Sequence, residues 1–353
     1  MGTAGFAFET YRVAWPERGW GPALRDLRAE ASSWADSWVL LQFTNLAWSQ
    51  RGFPLHAPEI LATLRECETR CGVVFHDFEP FPGARVIDQV RRKFQLRVLR
   101  RLFGLADLAI FTALLEKVSW LPAERRKAVF IPIGANCPSA HKDARTSSSG
   151  EKTVAVYCFT GGRHTDTTDT EVRDIGYALK RAKAAAGRLR LVVFGRGSRE
   201  AEPALRVEFV GTGVSVEALG LLRADQVSHT LANSDVLLFV RGTISSRRGS
   251  AIAGIACGLP IVCYAGRETG WPVTEAGVVA VPQGDREALS EALEKVLCDE
   301  AFRATLAERS RRAQKEYFSW PAIASGYAAA LEGKFGAAQD PRPLEVAAEA
   351  EPH

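Results

Sequence analysis

The sequence predicts an α/β protein made of two doubly wound units with parallel sheets, on three observations. Short apolar runs rich in β-branched residues alternate with segments of helical period along most of the chain. One polar, serine-rich stretch, SAHKDARTSSSGEK at 139–152, interrupts the alternation. The 353 residues are also enough for two cores at about 150 residues per domain.

Each element follows from its pattern. In the first unit the runs at 37–43 (SWVLLQF), 72–75 (GVVF), 108–112 (LAIFT) and 128–133 read as buried strands, being continuously apolar and too short for helices. Segments 59–70 and 85–103 carry the helical period. After the interruption, 153–159, 189–194, 207–210, 236–240, 260–263 and 277–281 read as strands, and 171–186, 215–223, 250–257 and 285–297 as helices. The expected partition is 1–138, a linker at 139–152, 153–318, a closing helix at 319–335 and a disordered Ala/Pro/Glu-rich tail at 336–353.

Composition narrows the function. A hydrophobic content of 46% with 24% charged residues excludes collagen-like, mucin-like and wholly disordered chains. The formal charge is only +4, far from a nucleic-acid coat, so no nucleic-acid partner is expected. The first residues lack a basic region followed by an apolar run, and no run approaches the roughly 18 residues of a membrane span, so the expectation is a protein neither secreted nor spanning. Seven cysteines, an odd number without a CxxC pair, suit reduced thiols in a cytoplasm. Cys67 and Cys71 have the i, i+4 spacing of a helix, but no His accompanies them, and packing is the expected role.

The stretch 234–260, SDVLLFVRGTISSRRGSAIAGIACGLP, is the most informative. A strand ends near Arg241, a loop carries Ser245, Ser246, Arg247, Arg248 and Gly249, and a helix of small residues follows from Ser250 and Ala251. A helix N-terminus offers unpaired N–H groups and partial positive charge, and arginine can bond two phosphate oxygens at once. The pattern therefore suits a phosphate or diphosphate, although a capped surface helix with solvated arginines would read the same. A second loop, 158–165, places Gly161, Gly162, Arg163, His164 and Thr165 after a strand, where adjacent glycines admit close backbone approach to a ligand; any tight turn would also use them. A third, FGRGS with Gly195 and Arg196, is only a fragment of a dinucleotide loop and poor evidence for NAD. In the first unit, VVFHDFE sets His76 and Asp77 at a strand exit, where such sheets carry functional side chains.

Taken in order, HDFEPF, PIGANCP, the run from SDVLLFVRGTISSRRGS through ACGLPIV, VPQGDREAL and FSWPAIASGY resemble glycosyltransferase family 4, of GT-B fold, over roughly 39–331. The resemblance implies two Rossmann-like domains facing a central cleft, the first taking the acceptor and the second a nucleotide-diphosphate sugar. It also implies retention of anomeric configuration, a closing helix that returns to the first domain, and no cofactor or bound metal, because basic groups and a helix N-terminus neutralise the diphosphate. Carried onto this chain, His76, Arg247 and Arg248 become the catalytic candidates. Gly161, Gly162, Arg163, Gly195, Arg196, Ser245, Ser246, Gly249, Ser250 and Ala251 become the donor-binding ones.

Two departures matter. The glutamates that most members carry eight positions apart fall on Ser245 and Ala253, so both carboxylates are missing, as in a subgroup with arginines and small hydroxyls in that loop. The usual first strand with its glycine-rich turn has no clear counterpart in 1–37, and the lysine after the first glycine loop of the second domain is also absent. A second reading therefore stands beside the enzyme: a non-catalytic nucleotide-sugar binder, or a scaffold for an active partner.

Residues 85–101 hold seven cations (Arg85, Arg91, Arg92, Lys93, Arg97, Arg100, Arg101) against Asp88, with Val86, Val90, Phe94, Val98 and Leu102 at every fourth position. Such a helix can rest on anionic lipid and reach a saccharide or lipid-linked acceptor from the inner face of the cell membrane, or it can pack on a core and leave its basic side in water.

Overall fold

A computed structural model describes residues 7–140, 150–160 and 166–334. Two short helices open the described chain, α1 (Trp15–Arg18) and α2 (Trp20–Ala31), with the Trp15 and Trp20 rings stacked at 5.0 Å. Then strand and helix alternate: β1 (Trp38–Phe43), α3 (Ala57–Glu66), β2 (Arg70–Phe75), α4 (Val86–Leu105), β3 (Leu108–Phe111) and β4 (Ala128–Phe130). These strands form one parallel sheet in the order β1-β2-β3-β4.

Side chains alternate across this sheet because the strand period is two. Leu41, Phe43, Val73, Phe75, Ala109 and Phe111 point to the side covered by α2, α3 and α4. Leu40, Val74, Leu108, Ile110 and Val129 point the other way, and there the cover is α11 (Trp320–Leu331), from the far end of the chain, through Ile323, Tyr327 and Ala330. A parallel sheet needs both faces dry, so the last described helix completes the first sheet.

The second sheet is built from β5 (Lys152–Tyr157), α5 (Asp166–Ala186), β6 (Leu189–Phe194), α6 (Ser198–Glu208), β7 (Val214–Gly220), α7 (Ala224–Ala232), β8 (Val236–Thr243), α8 (Gly249–Ala256), β9 (Ile261–Ala265), β10 (Val278–Pro282), α9 (Arg286–Cys298) and α10 (Glu300–Ala313). Its order is β10-β9-β8-β5-β6-β7, all parallel. The order reverses between β5 and β8, which opens a crevice at their C-terminal ends. Gly277 is where α10 closes on the sheet: an added Cβ would lie 1.9 Å from the Leu306 carbonyl oxygen.

Several expectations need correction. The segment read as a strand at 207–210 is the end of α6 and its turn, and the one read as a helix at 215–223 is mostly β7. The FGRGS turn does open a helix, α6, which carries Pro203 inside it; proline disfavours a helix interior, so the sequence signal was masked. The helix expected at 59–70 stops at Glu66, and Arg70 already belongs to β2. Cys67 therefore caps α3 while Cys71 is buried in β2, and their helical spacing has no structural meaning. The linker falls largely on 141–149, and the whole of the expected tail, 336–353, lies with it outside the described residues.

The fourfold stripe on α4 also divides. At 100° per residue a spacing of four drifts by about 40° per step, so the stripe cannot stay on one side over four turns. Val98 and Leu102 are buried, whereas Val86, Val90 and Phe94 are 78%, 39% and 37% exposed.

Ile323 is the test of the shared core. Ile323→Ala should destabilise the protein by about 2–4 kcal/mol, the usual cost of emptying a buried isoleucine site, read as a lowered urea midpoint.

Candidate active site

The C-terminal ends of the two sheets meet. After β8, Ser246 donates from Oγ to the Thr112 carbonyl at 2.9 Å, just beyond β3, and its own carbonyl accepts from Ile133 N–H at 3.3 Å. The Arg247 guanidinium lies 5.2 Å from the centre of the Phe78 ring, beyond β2. From the loop after β9, Arg267 donates to the Lys117 carbonyl at 2.7 Å and pairs with Glu79 at 3.4 Å. The loop 244–248 is thus held from both halves.

Within it the two arginines differ. Arg247 makes a bidentate pair with Glu268, Nε to Oε2 at 2.7 Å and Nη2 to Oε1 at 3.0 Å, with both side chains mostly buried. Burial disfavours its charge, but Glu268 and then Asp77 outweigh that and raise its pKa. Glu268 answers in kind: burial pushes its carboxyl up, and Arg247, helped by Arg248, holds it below the ordinary carboxylate value. Arg248 has no ion pair among the described residues, and it donates from Nε to the Thr243 carbonyl at 3.3 Å. Burial, the neighbouring charge of Arg247 and that of Arg241 all lower its pKa, against only partial relief from Glu268. A half-buried cation with this little compensation is a place for an anion.

Arg248 is also the N-cap of α8. The first N–H groups of a helix have no partner within it, which leaves those of Gly249 and Ser250 without an intrahelical acceptor, while Ala251 and Ile252 donate to the Arg248 carbonyl at 2.9 and 3.0 Å. Two of the expected donor-binding residues are engaged within the fold. Ala251 is fully buried and its N–H is spent inside the helix. Ser246 is buried too, with its hydroxyl committed to Thr112. Ser245, 1% exposed, has its hydroxyl near the Glu268 carboxylate, which it helps to stabilise, without a well-formed hydrogen bond.

The neighbouring exits add to this. Glu171, buried on α5, accepts from Thr160 N–H at 2.9 Å and from its hydroxyl, fixing the start of the glycine loop; burial raises its pKa, and Thr160 and Arg241 partly reverse that. Gly161, Gly162 and Arg163, with His164 and Thr165, lie outside the described residues. Gly195 has φ +83°, and an added Cβ would stand 2.6 Å from Cys158 Sγ, so this turn needs glycine. Arg196 is exposed, and its carbonyl accepts from Phe159 N–H at 2.9 Å.

On the other wall, His76 Nε2 hydrogen-bonds Gln42 Oε1 at 2.9 Å. Burial lowers the His76 pKa, with a smaller opposite effect from Asp77, so the ring is neutral near pH 7. The structure thus brings Arg247, Arg248, Ser245, Ser246, Gly249 and Ser250 into one loop and helix start, with Asp77, next to His76, acting on Arg247. Sequence reasoning missed Glu268, three residues past β9 in AGRETG, and Asn45, two residues past β1. The signal available was a polar side chain at a strand exit; which exits adjoin depends on sheet order.

Residues 172–313 match the family model described as glycosyl transferases group 1. The C-terminal unit is a glycosyltransferase domain. Its class of chemistry is glycosyl transfer. No curated protein matches the sequence, but solved structures do match its shape. Sucrose-phosphate synthase from Thermosynechococcus elongatus is 20% identical with a TM-score of 0.63, over 94% of this chain and 82% of that one. HepE of Anabaena, solved with UDP and glucose, is 14% identical with a TM-score of 0.60, over 92% and 84%. A UDP-forming α,α-trehalose-phosphate synthase from Burkholderia xenovorans is 15% identical with a TM-score of 0.59, over 90% and 79%. The glycosyltransferase domain therefore sits in a chain of GT-B fold, two parallel-sheet layers with helices on their faces.

The Arg247–Glu268 pair sets a stability test. A carboxyl whose folded pKa is depressed contributes fully above its unfolded pKa, and loses that contribution as pH falls through the folded value. Glu268→Gln should therefore be less stable than wild type at neutral pH by about 1–3 kcal/mol. The two urea curves should converge on acidification below the ordinary carboxylate range.

Proposed function

We propose that the protein is a retaining glycosyltransferase that moves a sugar from a nucleotide-diphosphate donor to a saccharide or lipid-linked acceptor. The observation that carries this reading is Arg248: a half-buried cation without an ion pair among the described residues, at the N-cap of a helix whose first N–H groups have no acceptor within it. The UDP bound by HepE supports a nucleotide diphosphate as the anion.

Breaking the sugar–diphosphate bond leaves positive charge on the anomeric carbon and negative charge on the departing oxygen. Fixed donors aimed at that oxygen lower the barrier because they need no reorganisation as the charge develops. Arg248, with Arg241 behind it and the N–H groups of Gly249 and Ser250, takes the diphosphate. Arg247 contributes by holding the loop through Glu268, and turns part of its charge toward the site. The acceptor hydroxyl attacks from the same face, and the departing phosphate takes its proton, so neither of the glutamates missing at Ser245 and Ala253 is needed as a base. His76, neutral, donates to or accepts from a hydroxyl of the reacting sugar. Gly195 and Arg196 border the nucleotide, and Gly161, Gly162 and Arg163 complete the diphosphate loop. The protein's own cations meet the diphosphate charge, so the reaction proposed uses no metal or other cofactor.

The acceptor side carries a surface of matching chemistry. Val86, Ile87, Val90 and Phe94 are exposed on α4, and Arg85, Arg92, Lys93, Arg97, Arg100 and Arg101 are exposed around them without ion pairs among the described residues. No described helix is long and apolar enough to cross a membrane. A face of this kind instead lies on anionic lipid, each cation adding about 1 kcal/mol near the surface, and would hold the enzyme at the inner face of a cytoplasmic membrane beside a lipid-linked acceptor.

Two outcomes follow. A thermal-shift screen over UDP-, ADP- and GDP-sugars should find one donor that raises the melting temperature, with labelled donor turned over. Arg248→Ala should weaken that donor roughly tenfold to a hundredfold, the equivalent of about 1.5–3 kcal/mol for lost charge-assisted bonds. A protein that binds donor without turning it over would be the non-catalytic binder instead. In sedimentation with phosphatidylglycerol-rich vesicles, wild type should bind at low salt, and Val90→Asp with Phe94→Asp should not.

A further inference from the structure

Three side chains among the described residues contain buried polar atoms with no hydrogen-bond partner: Asn45, Ser245 and Gln314. Asn45 is the extreme case. It is 0% exposed, and both Nδ2 and Oδ1 are unpartnered. Folded proteins seldom keep such a group, because each lost hydrogen bond leaves a desolvation cost uncompensated.

A slack loop does not explain it. Asn45 N–H donates to Asp77 Oδ2 at 2.8 Å, Ala47 N–H to Thr44 Oγ1 at 3.1 Å, Trp48 Nε1 to the Gln42 carbonyl at 2.9 Å and Trp15 Nε1 to the Ala47 carbonyl at 3.2 Å. The backbone around the carboxamide is pinned by these bonds, while the buried carboxamide itself has no hydrogen-bond partner. Its position is also informative. Asn45 lies two residues past the C-terminal end of β1, in the sheet whose β2 and β3 exits meet the β8 exit that carries Ser245, and its N–H holds Asp77 two residues past β2.

We infer that Asn45 reads the acceptor: its carboxamide binds adjacent hydroxyls of a neutral saccharide on the first-domain wall of the cleft. This rests on the glycosyl-transfer reading above. A carboxamide presents one acceptor and two donors side by side, and a vicinal diol supplies the complement, one hydroxyl accepting from Nδ2 and the next donating to Oδ1. The Asp77 carboxylate on the Asn45 N–H favours an uncharged ligand over a phosphate or carboxylate at this position.

The test pairs saccharide binding with stability, using the full chain. Saturation-transfer NMR is run on wild type and Asn45→Leu with glucose, mannose, galactose and N-acetylglucosamine, and with glucose 6-phosphate as the charged comparison. Wild type should bind at least one neutral sugar, and Asn45→Leu should bind it at least tenfold more weakly while melting no lower, since leucine fills the same space without unpaired polar atoms. If Asn45→Leu does not fold, Asn45→Ser is read for the same tenfold loss. Unchanged saccharide binding in the variant, binding of glucose 6-phosphate alone, or no binding of any neutral sugar by wild type would each overturn the assignment. UDP is titrated in parallel: wild type that binds a neutral sugar but not UDP would count against the proposed donor and leave Asn45 standing.

Discussion

The exit of β8 must carry two guanidinium groups into a partly buried cleft, and the bidentate pair with Glu268 makes this tolerable by neutralising one of them. Burying two adjacent like charges without compensation would drive the loop into solvent. With Arg247 paired and lying beside Phe78, the loop stays in, Ser246 reaches Thr112, and Arg248 is left as the cation with unused capacity at the N-cap of α8. The charge that a diphosphate would meet is therefore a remainder, what is left once the loop has been made stable.

The same loop couples the two sheets. Ser246 and Ile133 tie the β8 exit to the strand ends of the first sheet, and Arg267 ties the β9 exit to Lys117 and Glu79. Behind the first sheet, α11 returns to dry its second face. Contacts on both sides of the junction fix how the strand exits face each other, and a site shared between them depends on that placement to within a hydrogen bond's length.

The loss of the glutamate pair reads differently once Glu268 is in view. A carboxylate is present at the site, but it comes from the neighbouring strand exit and is engaged by Arg247. In the proposed reaction sugar hydroxyls would be met by other groups, and Asn45, whose buried carboxamide has no partner, is the one inferred above. An arginine-rich loop and an orphaned carboxamide are complementary features of one cleft: the first suits an anion, the second a neutral diol.

The alternation of apolar runs with helical periods, together with chain length, fixed the α/β class and most strand positions, because those signals are local and the runs are buried on both faces. The loop at the β8 exit was equally legible, since a strand exit, adjacent arginines and a helix of small residues are contiguous in sequence. Where local signals conflict, the fold decided: Pro203 concealed α6, the half-exposed edge strand β7 passed for a helix, and the α4 stripe ran from solvent into the core because a spacing of four drifts around the helix. Only tertiary structure could set Glu268 on Arg247, divide the labour between two adjacent arginines and leave Asn45 without partners. Each of these depends on which strand exits become neighbours, and that is set by sheet order and domain contact across separations that no local pattern encodes.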